Sequence, residues 1–182
     1  MKLPENPMER AAKGIVGSVI MFGESKIDFS TNYMVYEKEV IPPLIELMLK
    51  KEAKSVTRLV FPYLSLDDEM IKIICALPWL TNLDIQGNDI TDTSVELIGS
   101  NLKQLRTLNI SSCFEITNIK PLYKLDNLVR LSAYRTPISE CDLEWVKKSK
   151  IASVSFSETE IKPKTLEQIY KILRAKNAES NK

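Results

Sequence analysis

The side chains that most often perform catalysis or bind metal ions are sparse in this sequence. None of its 182 residues is histidine, which removes the commonest general base and the commonest nitrogen ligand. A Ser-His-Asp or Cys-His site within the chain is therefore impossible. Its three cysteines, Cys75, Cys113 and Cys141, form no Cys-x-x-Cys pair, and no glycine pattern fits a phosphate or dinucleotide loop. The sequence predicts no catalytic residues, no metal site and no cofactor.

One acidic cluster, Asp67-Asp68-Glu69, is the remaining candidate for chemistry. Neighbouring carboxylates can bind a divalent cation or act as an acid-base pair. The cluster also precedes Met70, Ile71 and Ile74, which have helical spacing, and carboxylates at a helix N-terminus bind its free backbone amides. We favour this structural interpretation and expect a protein that is not an enzyme.

Composition narrows the range of partners and of cellular locations. With 25 Lys and Arg against 24 Asp and Glu, the net charge of +1 gives no reason to expect nucleic acid or an anionic membrane. The apolar run Ile15 to Phe22 is too short to span a bilayer, and Glu5 and Glu9 before it argue against a secretory signal. An odd number of cysteines suits reduced thiols. We expect a cytoplasmic protein with a protein partner, and no membrane or small-molecule substrate.

Apolar residues recur with one spacing in five segments that begin 23 to 25 residues apart. Positions one, four and six are apolar, position nine is mostly small or polar, and another apolar residue follows. A period of this length is typical of a solenoid in which each repeat supplies one strand and a returning limb. The segments are Val56, Leu59, Phe61, Leu64, Leu66; Leu80, Leu83, Ile85, Asn88, Ile90; Leu105, Leu108, Ile110, Cys113, Ile116; Leu128, Leu131, Ala133, Thr136, Ile138; and Ile151, Val154, Phe156, Thr159, Ile161.

This spacing resembles the leucine-rich repeat pattern L-x-x-L-x-L-x-x-N/C. The segment from Leu105 to Cys113, followed by Ile116-Thr117, is similar to the cysteine-containing subclass. The segment from Ile119 to Leu131 is more similar to the shorter SDS22-like and internalin-like repeats. The resemblance implies an α/β fold, a ribonuclease-inhibitor-like solenoid with a curved parallel sheet on the concave face and helices or 3₁₀ turns on the convex face. It also implies protein binding.

The chain divides into three zones by its pattern. Residues 1–54 do not match the repeat, and we predict an N-terminal cap with a helix near 40–51. Residues 55–176 form the domain of about five repeats and a C-terminal capping helix from about Thr165, and residues 177–182 form a flexible tail. Val16, Val19 and Met21 are candidates for a degenerate extra strand.

The returning limbs carry recognisable helix starts. Asp67 and Asp68, Thr93 with Glu96, Ser139 with Asp142, and Thr165 with Gln168 predict four helices. The third limb contains Pro121 and too few apolar residues for a full helix, so we predict a 3₁₀ turn there.

Alternation of strand side chains predicts the binding surface. Positions three and five, continued by seven and eight, face the concave side. Arginine and aromatic residues are the commonest interface anchors, and we hypothesise that Arg130, Tyr134 and Arg135 contact an acidic or polar segment of a partner. The predicted protein-binding residues are Arg58, Tyr63, Asp84, Gln86, Asn109, Arg130, Tyr134 and Arg135.

Two functions remain open from the sequence. The first is a protein-protein interaction module that acts as an adaptor, a regulator or a bacterial effector in the host cytosol. The second is a structural subunit buried permanently in a larger complex. The polar character of the concave positions favours the first, since permanent interfaces are more apolar. Trp79 and Trp145 are assigned to packing.

Overall fold

A computed structural model describes residues 10–13, 15, 25–30, 38–50 and 53–180. In this part of the chain six parallel strands form one sheet, and their order in the sheet is their order in the sequence. The strands are β1 (Lys26–Asp28), β2 (Arg58–Val60), β3 (Asn82–Asp84), β4 (Thr107–Asn109), β5 (Arg130–Ser132) and β6 (Ser153–Ser155).

The returning limbs are helices and 3₁₀ turns, so the predicted α/β solenoid is confirmed. Residues 10–13 and 15 are helical, and we label them α1. The others are the 3₁₀ turn Lys38–Val40 leading into α2 (Ile41–Lys50), α3 (Asp68–Ile74), α4 (Asp92–Asn101), the 3₁₀ turn Lys120–Lys124, α5 (Leu143–Lys148) and α6 (Pro163–Ser180).

The central residues of the strands stack as rungs of one core. Leu83 pairs with Leu108, which pairs with Leu131, which in turn pairs with Val154. The three leucines are each 1 % exposed. Since each rung contacts the rungs beside it, the apolar core is continuous from repeat to repeat.

The third returning limb is short, as its proline predicts. It is the 3₁₀ turn Lys120–Lys124, and Pro121 lies in its first positions. Helix α4 packs closely against it at Gly99, where an added Cβ would lie 2.3 Å from the carbonyl oxygen of Pro121. The absence of a side chain at this position allows the two limbs to touch.

Three helices begin at residues other than those the sequence predicts, and one of them, α6, begins at Pro163, before the predicted start at Thr165. Asp67 caps α3 by accepting a hydrogen bond from the Met70 amide, as predicted. The cap of α4 is Thr91 rather than Thr93, and the cap of α5 is Asp142 rather than Ser139. Thr91 is held by the Asp68 carboxylate of the preceding repeat, a contact that the local sequence does not reveal.

The sheet extends into the region predicted as a cap. Ile27 of β1 pairs with Leu59, although 32 residues separate them, more than in any of the five repeats. The extra strand predicted at Val16, Val19 and Met21 lies outside the described residues.

The apolar side of α2 is buried through Ile41, Leu44, Ile45 and Met48. The division at residue 54 stays a prediction.

The last helix is longer than the sequence predicts. It continues to Ser180, so residues 177–180 of the predicted tail are helical. The Lys176 ammonium donates to the carbonyl oxygens of Val146, Ser149 and Ile151, each at 2.8 Å. The Asn177 amide donates to the Ala152 carbonyl at 3.1 Å. These contacts attach α6 to the end of α5 and to the residues that lead into β6.

Candidate functional site

Buried side chains at position nine hold the loops that follow the strands. Asn88 is 3 % exposed, and its carbonyl oxygen accepts hydrogen bonds from the amides of Leu64 and Leu66 at 2.9 and 3.0 Å. Its amide group donates to the carbonyl oxygens of Phe61 and Ile85 at 2.9 and 2.8 Å. One side chain therefore satisfies backbone groups of two successive repeats.

The same contact recurs in the next two repeats with other residue types. The Cys113 thiol donates to the Ile85 carbonyl at 3.5 Å, and the Thr136 hydroxyl donates to the Ile110 carbonyl at 2.8 Å. In each case the acceptor is position six of the preceding repeat. We name these contacts of Asn88, Cys113 and Thr136 the ladder, and they hold the loops of successive repeats together.

The acidic cluster serves the fold. Asp68 accepts hydrogen bonds from the amide and hydroxyl groups of both Thr91 and Ser94. Burial alone would raise the pKa of Asp68, but these hydrogen bonds outweigh it and hold the pKa below its ordinary value. Asp92 accepts equivalent bonds from Thr117 and Asn118. Within the described residues, no group of three Cys, Asp or Glu side chains is placed to hold a metal ion.

The loops after the strands form one rim, which we name the carboxyl edge. It consists of Tyr63, Gly87–Asp89, Ser112–Glu115, Tyr134–Arg135 and Glu158. Position eight of every repeat has a positive φ: 56° at Tyr63, 67° at Gly87, 56° at Ser112, and 54° at both Arg135 and Glu158. Glycine adopts this conformation at the lowest cost, yet four of the five repeats carry a larger side chain there.

Large apolar side chains are exposed mainly at the carboxyl edge. Those exposed in the described residues are Leu49, Tyr63, Phe114 and Tyr134. Three of these four belong to the carboxyl edge, with exposed fractions of 56 % for Tyr63, 67 % for Phe114 and 38 % for Tyr134. Packing of the solenoid does not account for this exposure.

Tyr134 and Arg135 are joined through Glu158. The Tyr134 hydroxyl donates to one carboxylate oxygen of Glu158 at 2.7 Å, and Arg135 Nε lies 3.4 Å from the other. The hydrogen bond to Glu158 raises the pKa of Tyr134. Because Glu158 compensates the charge of Arg135, this pair attracts an acidic segment less strongly than the sequence suggests. Contact with such a segment stays a prediction.

A shallow depression of about 330 Å³ lies between these loops. Its lining residues include two aromatic residues, Tyr63 and Phe114, two acidic residues, Asp89 and Glu115, and the basic residue Arg135. Sequence reasoning selected Tyr63 and Arg135 but missed Phe114, which follows position nine and lies outside the strand register.

Three predicted residues are connected in the middle of the concave face. The Asn109 amide donates to the Asp84 carboxylate at 3.0 Å and to the Gln86 side-chain oxygen at 3.4 Å. The Asp84 carboxylate also accepts a hydrogen bond from the backbone amide of Gln86 at 3.2 Å. This network pre-orders polar groups across two strands.

The two remaining predicted anchors lie apart from the others. Arg58 and Arg130 begin β2 and β5, and both are exposed. They are separated by two intervening strands, and they lie at the opposite end of the strands from the carboxyl edge. Arg130 therefore begins β5, while Tyr134 and Arg135 follow the other end of that strand, and a joint contact of the three with a partner stays a prediction.

The cysteines and tryptophans are structural. Burial raises the pKa of Cys75 and Cys141 to about 12 and that of Cys113 to about 11, so these free thiols remain protonated at neutral pH. Trp79 donates to the Val56 carbonyl at 3.1 Å. Trp145 is 9 % exposed and stacks on Tyr123 with ring centroids 4.5 Å apart.

Comparison with known proteins agrees with this geometry. The family model of two-copy leucine-rich repeats matches residues 78–124. Residues 78–124 therefore match leucine-rich repeats, and the described chain has the fold of a leucine-rich repeat solenoid. Internalin C2 from Listeria monocytogenes has the same fold, with 20 % identity, a TM-score of 0.64, and coverage of 93 % of this chain and 70 % of the internalin chain. No curated protein matches the sequence.

Two further solved structures are less similar. Actin-binding site 2 of leiomodin-1 has 10 % identity and a TM-score of 0.49. The match covers 100 % of this chain and 94 % of the leiomodin chain. The tropomodulin C-terminal domain of Caenorhabditis elegans has 14 % identity and a TM-score of 0.47. The match covers 97 % of this chain and 100 % of the tropomodulin chain. Among the described residues of this chain, no helix is long and apolar enough to cross a bilayer.

Proposed function

We propose that this leucine-rich repeat solenoid is a non-enzymatic interaction module that binds a protein partner through the concave face and the carboxyl edge. One observation carries the proposal: three of the four large apolar side chains exposed in the described residues lie on that edge. Exposed aromatic residues grouped beside polar ones are typical of binding surfaces, in which a few of them supply most of the affinity.

The backbone of the carboxyl edge supports this proposal. Tyr63, Ser112, Arg135 and Glu158 have left-handed conformations that cost a non-glycine residue on the order of 1 kcal/mol each. Residues in such conformations are often found at functional sites. The hydrogen-bonded Asp84, Gln86 and Asn109 add a pre-ordered polar surface beside the aromatic residues.

A reducing compartment suits this module. All three described cysteines are free and buried. We propose a cytoplasmic location, or the host cytosol if the protein is an exported bacterial effector. Identification of the partner will distinguish an adaptor, a regulator and an effector.

Site-specific crosslinking tests the proposal. A photoreactive amino acid replaces Ser132, half-buried on the concave face, and in a control variant it replaces Glu96, exposed on α4. We expect one protein adduct, identified by mass spectrometry, from position 132 and none from position 96. Equal adducts from both positions would contradict the proposal. Adducts found only within one large assembly of constant mass would favour the structural subunit.

The purified partner then allows the anchors to be measured. Tyr63→Ser and Phe114→Ser should each weaken binding by about 30-fold, as expected for anchors that contribute ~2 kcal/mol. Lys124→Ser, an exposed position on the convex side, is the matched control and should leave the dissociation constant unchanged.

A further inference from the structure

We propose that the depression at the carboxyl edge binds an arginine side chain of the protein partner; this inference rests on the proposed function and names what the site recognises. The lining combines two aromatic rings with two carboxylates. A planar cation can stack on an aromatic ring while a carboxylate neutralises its charge.

The charges of the depression favour a cation. Asp89 and Glu115 are exposed, and within the described residues neither carboxylate has a hydrogen-bond or ion-pair partner. Arg135 is the one cationic side chain in the lining, and Glu158 already compensates it at 3.4 Å. With Glu158 included, three carboxylates and one guanidinium leave this part of the surface negative.

The aromatic residues favour arginine over lysine. A guanidinium is flat, presents five N–H donors and can stack on a ring while it binds a carboxylate through two hydrogen bonds. A lysine ammonium is more strongly hydrated and cannot form this planar arrangement. Tyr63 and Phe114 are the aromatic lining residues of this depression, and Asp89 and Glu115 are its acidic ones.

Gly87 and Tyr63 both line the depression and pack directly on each other. A Cβ at this position would lie 2.1 Å from two ring carbons of Tyr63, so the ring rests directly on the glycine backbone. The Gly87 amide is held by the Ser111 carbonyl at 2.9 Å. The ring is therefore supported from below while 56 % of the residue stays exposed to a partner.

A titration followed by NMR tests the inference without the natural partner. The probes are three blocked pentapeptides with two glycines on each side of arginine, lysine or citrulline, the last being the neutral analogue of arginine. The arginine peptide should shift the amide resonances of Gly87, Ser112 and Phe114 with a dissociation constant in the millimolar range. The lysine and citrulline peptides should shift them at least fivefold less.

A charge-matched pair of variants locates the effect. The double variant D89N/E115Q should weaken the response to the arginine peptide by about fivefold. The control E96Q/D126N removes two exposed carboxylates elsewhere and should respond like the unmodified protein. An equal response to lysine or citrulline, an unchanged response in D89N/E115Q, or no shift at the three amides would overturn the inference. Adducts at position 132 without an arginine response would overturn this inference alone and leave the proposed function intact.

Discussion

Asn88 illustrates, at the scale of a residue, how one buried amide fixes the loops that carry the exposed side chains. Its oxygen accepts from two amides of the first repeat, and its nitrogen donates to carbonyls of both repeats. Asn88 also lines the depression, directly after Gly87. Stability and binding geometry therefore depend on the same side chain.

Replacement of this residue tests that dependence. In Asn88→Ala the amides of Leu64 and Leu66 and the Phe61 carbonyl lose their partner, whereas the Ile85 carbonyl still accepts from the Cys113 thiol. Each unpaired buried group costs ~1–3 kcal/mol, so we expect a loss of about 3 kcal/mol or more. Urea unfolding monitored by circular dichroism measures it. Thr159→Ala is the matched control, since the Thr159 hydroxyl makes one hydrogen bond, to the Phe156 carbonyl at 2.8 Å. A cost for Asn88→Ala no greater than for Thr159→Ala would contradict the ladder.

Asp68 gives the protein a dependence of stability on acid pH. Its pKa in the folded protein lies below 3.8, the ordinary value expected in the unfolded chain. The unfolded state therefore binds the proton first, so the stabilisation is complete well above pH 3.8 and is lost as the pH falls through the folded pKa.

The variant Asp68→Asn isolates this contribution. At neutral pH it should be less stable by about 1–2 kcal/mol, because the carboxylate no longer accepts from the hydroxyls of Thr91 and Ser94. The difference from the unmodified protein should shrink in urea titrations below pH 3.8, where Asp68 itself becomes protonated. Glu69→Gln, whose carboxylate is exposed, should show little change at either pH. A difference that is constant with pH would exclude the linkage.

Sequence reasoning identified only part of the candidate site, for reasons visible in single residues. Strand alternation correctly placed Asp84 and Asn109 on one face, because that period is a local property of the chain. Phe114 was missed because exposure of a loop residue depends on how the Asn88 and Cys113 contacts orient neighbouring loops. Glu158, which compensates Arg135, belongs to the next repeat, 23 residues away.

At the scale of elements, Gly99 shows packing prevailing over helix propensity. Alanine favours a helix over glycine by ~1 kcal/mol, so Gly99→Ala would stabilise α4 in isolation. Its Cβ would meet the Pro121 carbonyl oxygen at 2.3 Å, however, and backbone atoms cannot move aside as a flexible side chain can. We expect a net loss of about 1–3 kcal/mol in the free energy of unfolding.

The neighbouring position provides the comparison. Ser100 is exposed on the same helix, so Ser100→Ala should be neutral or slightly stabilising in the same urea measurement. Should Gly99→Ala prove as stable as Ser100→Ala, the close approach of α4 to the 3₁₀ turn at Lys120–Lys124 would be wrong.

The strands and helices that the sequence predicts correctly are those that depend on neighbouring residues in the chain. The five strands around Leu59, Leu83, Leu108, Leu131 and Val154 follow from apolar spacing alone. Strand β1 was missed because Lys26-Ile27-Asp28 has a single apolar residue and lies outside the regular period. The start of α4 was misplaced because the choice between Thr91 and Thr93 depends on Asp68 of the preceding repeat.

At the scale of the whole molecule, the solenoid transmits stability from one repeat to the next. Each strand pairs only with the strands beside it, so no contact between distant repeats compensates for a weak one in the described sheet. Each end of the described sheet has a contact that the central repeats lack. At the C-terminal end Lys176 holds α6, and at the N-terminal end β1 pairs with β2. A central rung should therefore control the cooperativity of the whole fold.

Leu108→Ala tests this view of the molecule. Leu108 is 1 % exposed and lies between Leu83 and Leu131, so its truncation should leave a cavity and cost about 3–4 kcal/mol. Leu49→Ala is the control of identical chemistry, since Leu49 is 42 % exposed, and it should cost less than ~1 kcal/mol. Hydrogen exchange of Leu108→Ala should show faster exchange of the amides in β3 and β5 together, because both neighbours lose the same contact. Loss of protection confined to β4, with a cost equal to that of Leu49→Ala, would mean that the repeats are stabilised independently rather than by their neighbours.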